Sequence, residues 1–110
     1  MNKDFAPHEP SLDLKELGFD EPCFGWYSKD GTFYEGKMTI HQGLLCAPTF
    51  SQAFRWFREK YPDLDFGVDK IRNGTNNYHY HINLQWEFFE GTYEEAELAC
   101  LKKLIEIVKQ

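Results

Sequence analysis

His79 and His81 stand two residues apart in the run NYHYHINLQWEFF, so on an extended strand both imidazoles leave the same face. That spacing is one that metal-binding strands use, and a metal would need a third and fourth ligand from Glu35, Glu87, His41 or Cys46. The same two histidines share that face with Asn77, Asn83 and Gln85, the polar set that alternates with Tyr78, Tyr80, Ile82, Leu84 and Trp86, and this favours a solvated face over a metal centre. Cys46 lies three residues before Thr49, where the positive end of a following helix lowers a thiol's pKa and His41 is near in sequence as a base. It also follows Leu44-Leu45 at what reads as a buried strand end, and a free cysteine is among the most buried residue types. Cys23 and Cys100 fall on core positions and receive no role. No catalytic residue is assigned.

Two further side chains stand out by position. Glu97 falls within the apolar arc of Tyr93, Cys100, Leu101 and Leu104 on a helical wheel, and the expectation is that it overhangs the core and stays in water. Trp56 lies about 110° from the apolar stripe centred on Phe50, Phe54 and Phe57, at 100° per residue. It is therefore expected at the edge of its helix or exposed. Flanked by Arg55 and Arg58, it combines the residue types enriched at interface hot spots.

These groups need elements to hold them. The first ten residues carry two prolines and one large apolar group, and read as a flexible lead-in. A short helix runs from an N-cap at Ser11 through Leu17, with Gly18 ending it and Phe19 folding back on Leu14. Cys23 to Ser28 and Thr32 to Ile40 form a hairpin across Lys29-Asp30-Gly31, and Leu44 to Cys46 a brief third strand. Thr49 and Gln52 make a capping box for a central helix that stops at Tyr61-Pro62. Phe66 to Arg72 and Asn77 to Phe88 form a second hairpin around the Asn73 to Asn76 loop. Thr92 and Glu95 box the start of a final helix that reaches Lys109. The expected fold is α+β, in the order αββ(β)αββα. It has two layers: a mainly antiparallel sheet of four to five strands, with helices chiefly on one face, in a single domain over residues 11–110.

The segments ELGFDEPCFGWY, AFRWFREKY and TYEEAELACLKKLIEIVK together resemble a family of small proteins of Bacteroides-type gut bacteria and their phages or mobile elements. The resemblance spans most of the chain and implies a cytoplasmic accessory protein of phage type. It brings no catalytic residue with it. The Asn73 to Asn77 loop and the histidines after it lie outside the resembling segments.

Composition limits the function classes. The 110 residues carry 12 Lys and Arg against 18 Asp and Glu, a net charge of −6 that opposes binding to nucleic acid and anionic membranes. No apolar run exceeds four residues, far short of the ~20 of a membrane span. Three cysteines without a Cys-x-x-Cys fit neither a disulfide framework nor a standard zinc finger, and suit a reducing cytoplasm. The expected function is a non-enzymatic protein-interaction or regulatory module. It would use Trp56, Arg55 and Arg58 toward a protein partner or a second copy, with no cofactor. The alternative is a small metal- or cysteine-dependent enzyme using His79, His81 and Cys46.

Overall fold

A computed structural model describes residues 4–36, 44–70, 77–83, 85–87 and 91–109. The class is α+β. In chain order the elements are α1 (His8–Glu16), β1 (Gly25–Tyr27), β2 (Phe33–Glu35), β3 (Leu45–Ala47), α2 (Phe50–Lys60), β4 (Phe66–Lys70), β5 (Tyr78–Ile82), β6 (Gln85–Glu87) and α3 (Tyr93–Lys109). The chain forms two compact units, Met1–Ala53 and Phe54–Gln110. Among the described residues, in place of one sheet of four to five strands, there are two three-stranded antiparallel sheets, ordered β2-β1-β3 and β4-β5-β6.

In the first unit the hairpin forms as its turn residues demand. Gly31 takes φ +86, and the Asp30 carboxylate accepts hydrogen bonds from the Ser28 hydroxyl and, at 3.0 Å, from the Thr32 N–H. β3 joins the other side of β1, pairing Trp26 with Cys46. One sheet face buries Tyr27, Leu45 and Ala47 with Phe5, and Phe33 packs against this cluster. The residues expected to be a flexible lead-in therefore depart from that reading from Asp4 onward. Phe5 is buried and bridges to Thr49, the Ala6 N–H donates to the Pro48 carbonyl at 2.8 Å, and the Phe50 N–H donates to the Asp4 carbonyl at 3.0 Å. One large ring in a pocket suffices to order a segment of otherwise polar composition.

Helix α1 starts at His8 rather than after Ser11, with Pro7 as N-cap, a residue that gives up no useful N–H there. Ser11 is buried inside the helix, and its hydroxyl donates at 3.2 Å to the Ala6 carbonyl, which also accepts the Tyr27 hydroxyl at 2.9 Å. The helix ends as read. Gly18 has φ +103, and the Phe19 N–H donates to the Leu14 carbonyl at 2.9 Å, the long bond of a Schellman ending. α1 packs against β3.

In the second unit α3 packs against β5 and β4, burying Ala96, Cys100, Leu101, Leu104 and Ile105. Its capping box is reciprocal: the Glu95 N–H donates to Thr92 Oγ1 at 3.2 Å, and the Thr92 N–H to Glu95 Oε1 at 3.0 Å. The alternating run expected as one strand from Asn77 to Phe88 breaks at Asn83, which turns with φ +57. Asparagine tolerates that conformation, and here its side chain accepts the Asp65 N–H at 3.1 Å while its own N–H donates to the Asp65 carbonyl. No helix is long and apolar enough to cross a membrane among the described residues. The Asn73 to Asn76 loop and His41 lie outside the described residues.

Candidate functional site

The face of the first sheet opposite Tyr27 carries aromatic residues that the sequence reading did not single out. Strand alternation turns Gly25 and Tyr27 inward, and this sends Trp26 to the other side, opposite Tyr34 on β2 and Cys46 on β3. Trp26 and Tyr34 stack with ring centroids 4.5 Å apart and planes 18° from parallel. Directly opposed aromatics on neighbouring strands stabilise the pair by about 0.5 to 1 kcal/mol. Trp26 is half-buried, whereas Tyr34 is 45% exposed and Phe24, two residues before Trp26, is 67% exposed, the most exposed large apolar side chain among the described residues.

The acid complement of this unit is high. Residues 1–53 hold eight Asp and Glu against four Lys. Asp20, Asp30 and Glu35 are exposed and Glu21 half-buried, all within the segment that carries the aromatic row. A stacked Trp and Tyr in acidic surroundings suits a cationic group, because ring faces and carboxylates both attract it.

Trp56 occupies a different environment from the one expected. It is 6% exposed, standing edge-on to Phe57 at 5.1 Å and to Tyr61 at 6.0 Å, with Lys60 Nζ 5.5 Å from its ring centre. Aromatic residues at the next turn widened the buried arc beyond the Phe50, Phe54 and Phe57 stripe, so a residue about 110° from its centre is still covered. Arg55 and Arg58 are exposed, and the Arg58 guanidinium lies 4.8 Å from the centre of the Phe66 ring. Trp56 thus offers no exposed anchor to a partner.

Glu97 is 9% exposed, not solvated as expected. It is hydrogen-bonded to the Tyr93 hydroxyl one turn earlier, and burial together with the Glu97 charge raises the tyrosine's pKa. Beneath it Cys100 is fully buried. Burial pushes that thiol up, the Arg58 guanidinium pulls it back, and Glu97 adds to the rise, leaving it at about 12. Cys100 is therefore a protonated core side chain near neutral pH. A cavity of about 230 Å³ opens beside this group, lined by Phe54, Arg58, Phe66, Asp69 and Tyr93 among others. It mixes one guanidinium and one carboxylate, so it selects neither anion nor cation by charge.

The two histidines keep the shared strand face that their spacing implies. Across the β4–β5 ladder His79 pairs with Asp69 and His81 with Gly67. The His81 ring lies against Gly67, where an added Cβ would come within 2.9 Å of Cε1, and its Nε2 is 3.8 Å from Asp65 Oδ2. His81 is 17% exposed and His79 half-buried, so neither is fully solvated. No three His, Cys, Asp or Glu side chains converge in metal-binding geometry among the described residues. Cys46, proposed to act with them in an enzyme, belongs to the first unit and both histidines to the second.

Comparison of the chain with protein-family models, with curated proteins and with solved structures returns no match.

Proposed function

We propose that this chain is a non-enzymatic protein-interaction module whose docking face is the aromatic row of Trp26, Tyr34 and Phe24, in place of Trp56, Arg55 and Arg58. The observation that carries this reading is the stacked Trp26–Tyr34 pair on the face of the first sheet opposite Tyr27, with Phe24, two residues before Trp26, two-thirds exposed. Large aromatics concentrate binding energy at interfaces because they remove much apolar area from water at little rotamer cost. Eight acids to four bases in this unit select a partner that presents Lys or Arg, and speed its encounter at low salt. The resemblance to proteins of gut bacteria and their phages supports a regulatory accessory role in the cytoplasm. A second copy of the chain is one form such a partner could take.

The test is quantitative capture from cells that encode the protein, comparing wild type with the Trp26→Ala/Tyr34→Ala and Arg55→Ala/Arg58→Ala double variants. A partner lost from the first variant and kept by the second supports this face. A partner retained at wild-type level by the aromatic variant, with its circular dichroism unchanged, overturns it. Light scattering of the same proteins separates self-association from a different partner.

A further inference from the structure

Cys23 and Cys46 are far apart in sequence, and neither lies in a paired-cysteine motif. The fold nevertheless brings them together. Cys46 sits on β3 opposite Trp26, and the bend at Phe24 takes Cys23, three residues before Trp26, out of the regular alternation of β1. The two thiols are in hydrogen-bond contact, and Cys23 Sγ lies 3.4 Å from the Glu21 carbonyl that accepts its proton. Both are thiols, as is Cys100, which is enclosed in the second unit.

Their access to solvent differs. Cys23 is 3% exposed, whereas Cys46 is half-buried and lines a cavity of about 210 Å³ together with Lys15, Ser11 and Asp20. A reagent reaches Cys46 from this cavity, which Lys15 also lines, whereas Cys23 is almost fully enclosed.

We propose that Cys23 and Cys46 are a reversible dithiol–disulfide site, with Cys46 the entry thiol and Cys23 the resolving thiol, taking small-molecule disulfides of the glutathione class as oxidant. The Cys46 thiolate attacks one sulfur of the disulfide, the S–S bond breaks, and one equivalent of reduced thiol leaves. Cys23 then loses its proton and attacks Cys46 Sγ, which expels the second reduced thiol and closes the internal disulfide. Two protein thiols are oxidised by two electrons, and one external disulfide is reduced to two thiols. A reducing cytoplasm returns the pair to the dithiol.

Burial, followed by the charge and hydrogen bond of Cys46 and the charge of Glu21, raises the Cys23 pKa, so few resolving thiolates exist near neutrality. The mixed disulfide on Cys46 therefore gives way to the internal disulfide faster as pH rises. This site is independent of the docking reading, although the bond would tie down β3 directly across from Trp26.

The experiment is oxidation of the folded, fully reduced chain with oxidised glutathione, quenched in acid at intervals, alkylated and weighed intact. The expected result is an early adduct of one glutathione per chain, followed by loss of two hydrogens with Cys100 as the single alkylated thiol. Cys100→Ser should follow the same course, Cys23→Ser should stop at the glutathione adduct on Cys46, and Cys46→Ser should form neither product. Three alkylated thiols after prolonged oxidation, a disulfide that includes Cys100, or an internal bond that survives in Cys46→Ser would each overturn the proposal. Cys100→Ser and Cys23→Ser give separate readouts, so one misfolded variant leaves the test intact.

Discussion

Each of the two sheets has a glycine lying under a ring from elsewhere in its own unit, and the rings differ in kind. In the first sheet a Cβ at Gly25 would meet Phe5 Cδ1 at 2.7 Å and Phe33 Cε1 at 2.9 Å. Both rings are held by neighbours: Phe5 and Phe33 lie tilted with centroids 5.2 Å apart, and Phe33 also meets Tyr27 at 5.4 Å. In the second sheet a Cβ at Gly67 would meet only His81, at 2.9 Å from Cε1, on a ring that is 17% exposed. The first glycine holds a core together, and the second lets a polar ring lie flat on an edge strand. The same residue type thus serves apolar packing in one unit and the seating of a titratable group in the other.

Substituting each glycine separates the two roles. Gly25→Ala should lower stability by about 2 kcal/mol, the cost of overpacking between rings that cannot move apart, and the melting temperature by roughly 10 °C. Gly67→Ala should cost about 0.5 kcal/mol, since the imidazole can swing toward solvent and the lost chain freedom of glycine offsets part of the strain. Thermal denaturation of both variants measures the contrast. Equal losses would mean that the His81 ring is held as firmly as the Phe5 ring.

Much of this fold was legible because local chemistry determines it. Turn residues at Lys29-Asp30-Gly31, the Gly18 ending, both threonine caps and the α3 stripe act within a few positions of one another, and each formed. What could not be read depends on packing at a distance. Phe5 counts as one apolar residue in a polar stretch until Tyr27, Leu45 and Ala47 surround it. Asn83 belongs to an unbroken alternation in sequence, and only its exchange of hydrogen bonds with Asp65 makes it a turn. Wheel geometry set Trp56 at the edge of its helix or exposed, and it put Glu97 within the apolar arc, where the rarity of buried acids argued for water; direction around a helix does not say how wide an arc its neighbours cover. The aromatic row had a signal that went unused, since Trp26 and Tyr34 lie at equal distance from the predicted turn and therefore oppose each other in a hairpin. The Cys23–Cys46 contact had none, because it arises from the bend at Phe24 and the position of β3.

The two helix starts extend the comparison at a smaller scale. α3 has a closed box, with Thr92 and Glu95 each accepting the other's N–H. At α2 only half of the expected box forms: the Gln52 N–H donates to Thr49 Oγ1 at 3.1 Å, but the Gln52 amide turns away to Pro22 O at 2.8 Å and Glu21 Oε1 at 3.3 Å. Thr92→Ala should therefore cost about 1 kcal/mol, the usual value of a lost N-cap, and shorten α3 from its first turn. Gln52→Ala should leave the start of α2 in place and loosen the Glu21–Pro22 segment. Amide hydrogen exchange distinguishes these outcomes: faster exchange at residues 93–96 is expected for the first variant, and at residues 21–24 with α2 unchanged for the second. Fraying of α2 in Gln52→Ala would show that its side chain serves the cap after all.

The smallest effect belongs to the exposed turn of the first sheet. Hydrogen bonds from Ser28 and then from Thr32 favour the charged form of Asp30 and lower its pKa from 3.8 to about 2. A carboxyl whose folded pKa is depressed stabilises the fold above its unfolded pKa, and that contribution disappears as pH falls through the folded value. The hairpin should thus be unaffected above about pH 4 and weaken progressively toward about pH 2. Because Asp30 is fully exposed, solvent screening keeps the change small, and it is best read at the residue itself. An NMR titration of its carboxyl carbon should give a midpoint near 2, and Ser28→Ala should move that midpoint up toward 3.8 by removing the largest cause of the shift. An unmoved midpoint in that variant would assign the depression to Thr32, through its hydroxyl and its N–H, and would leave the turn anchored without the serine.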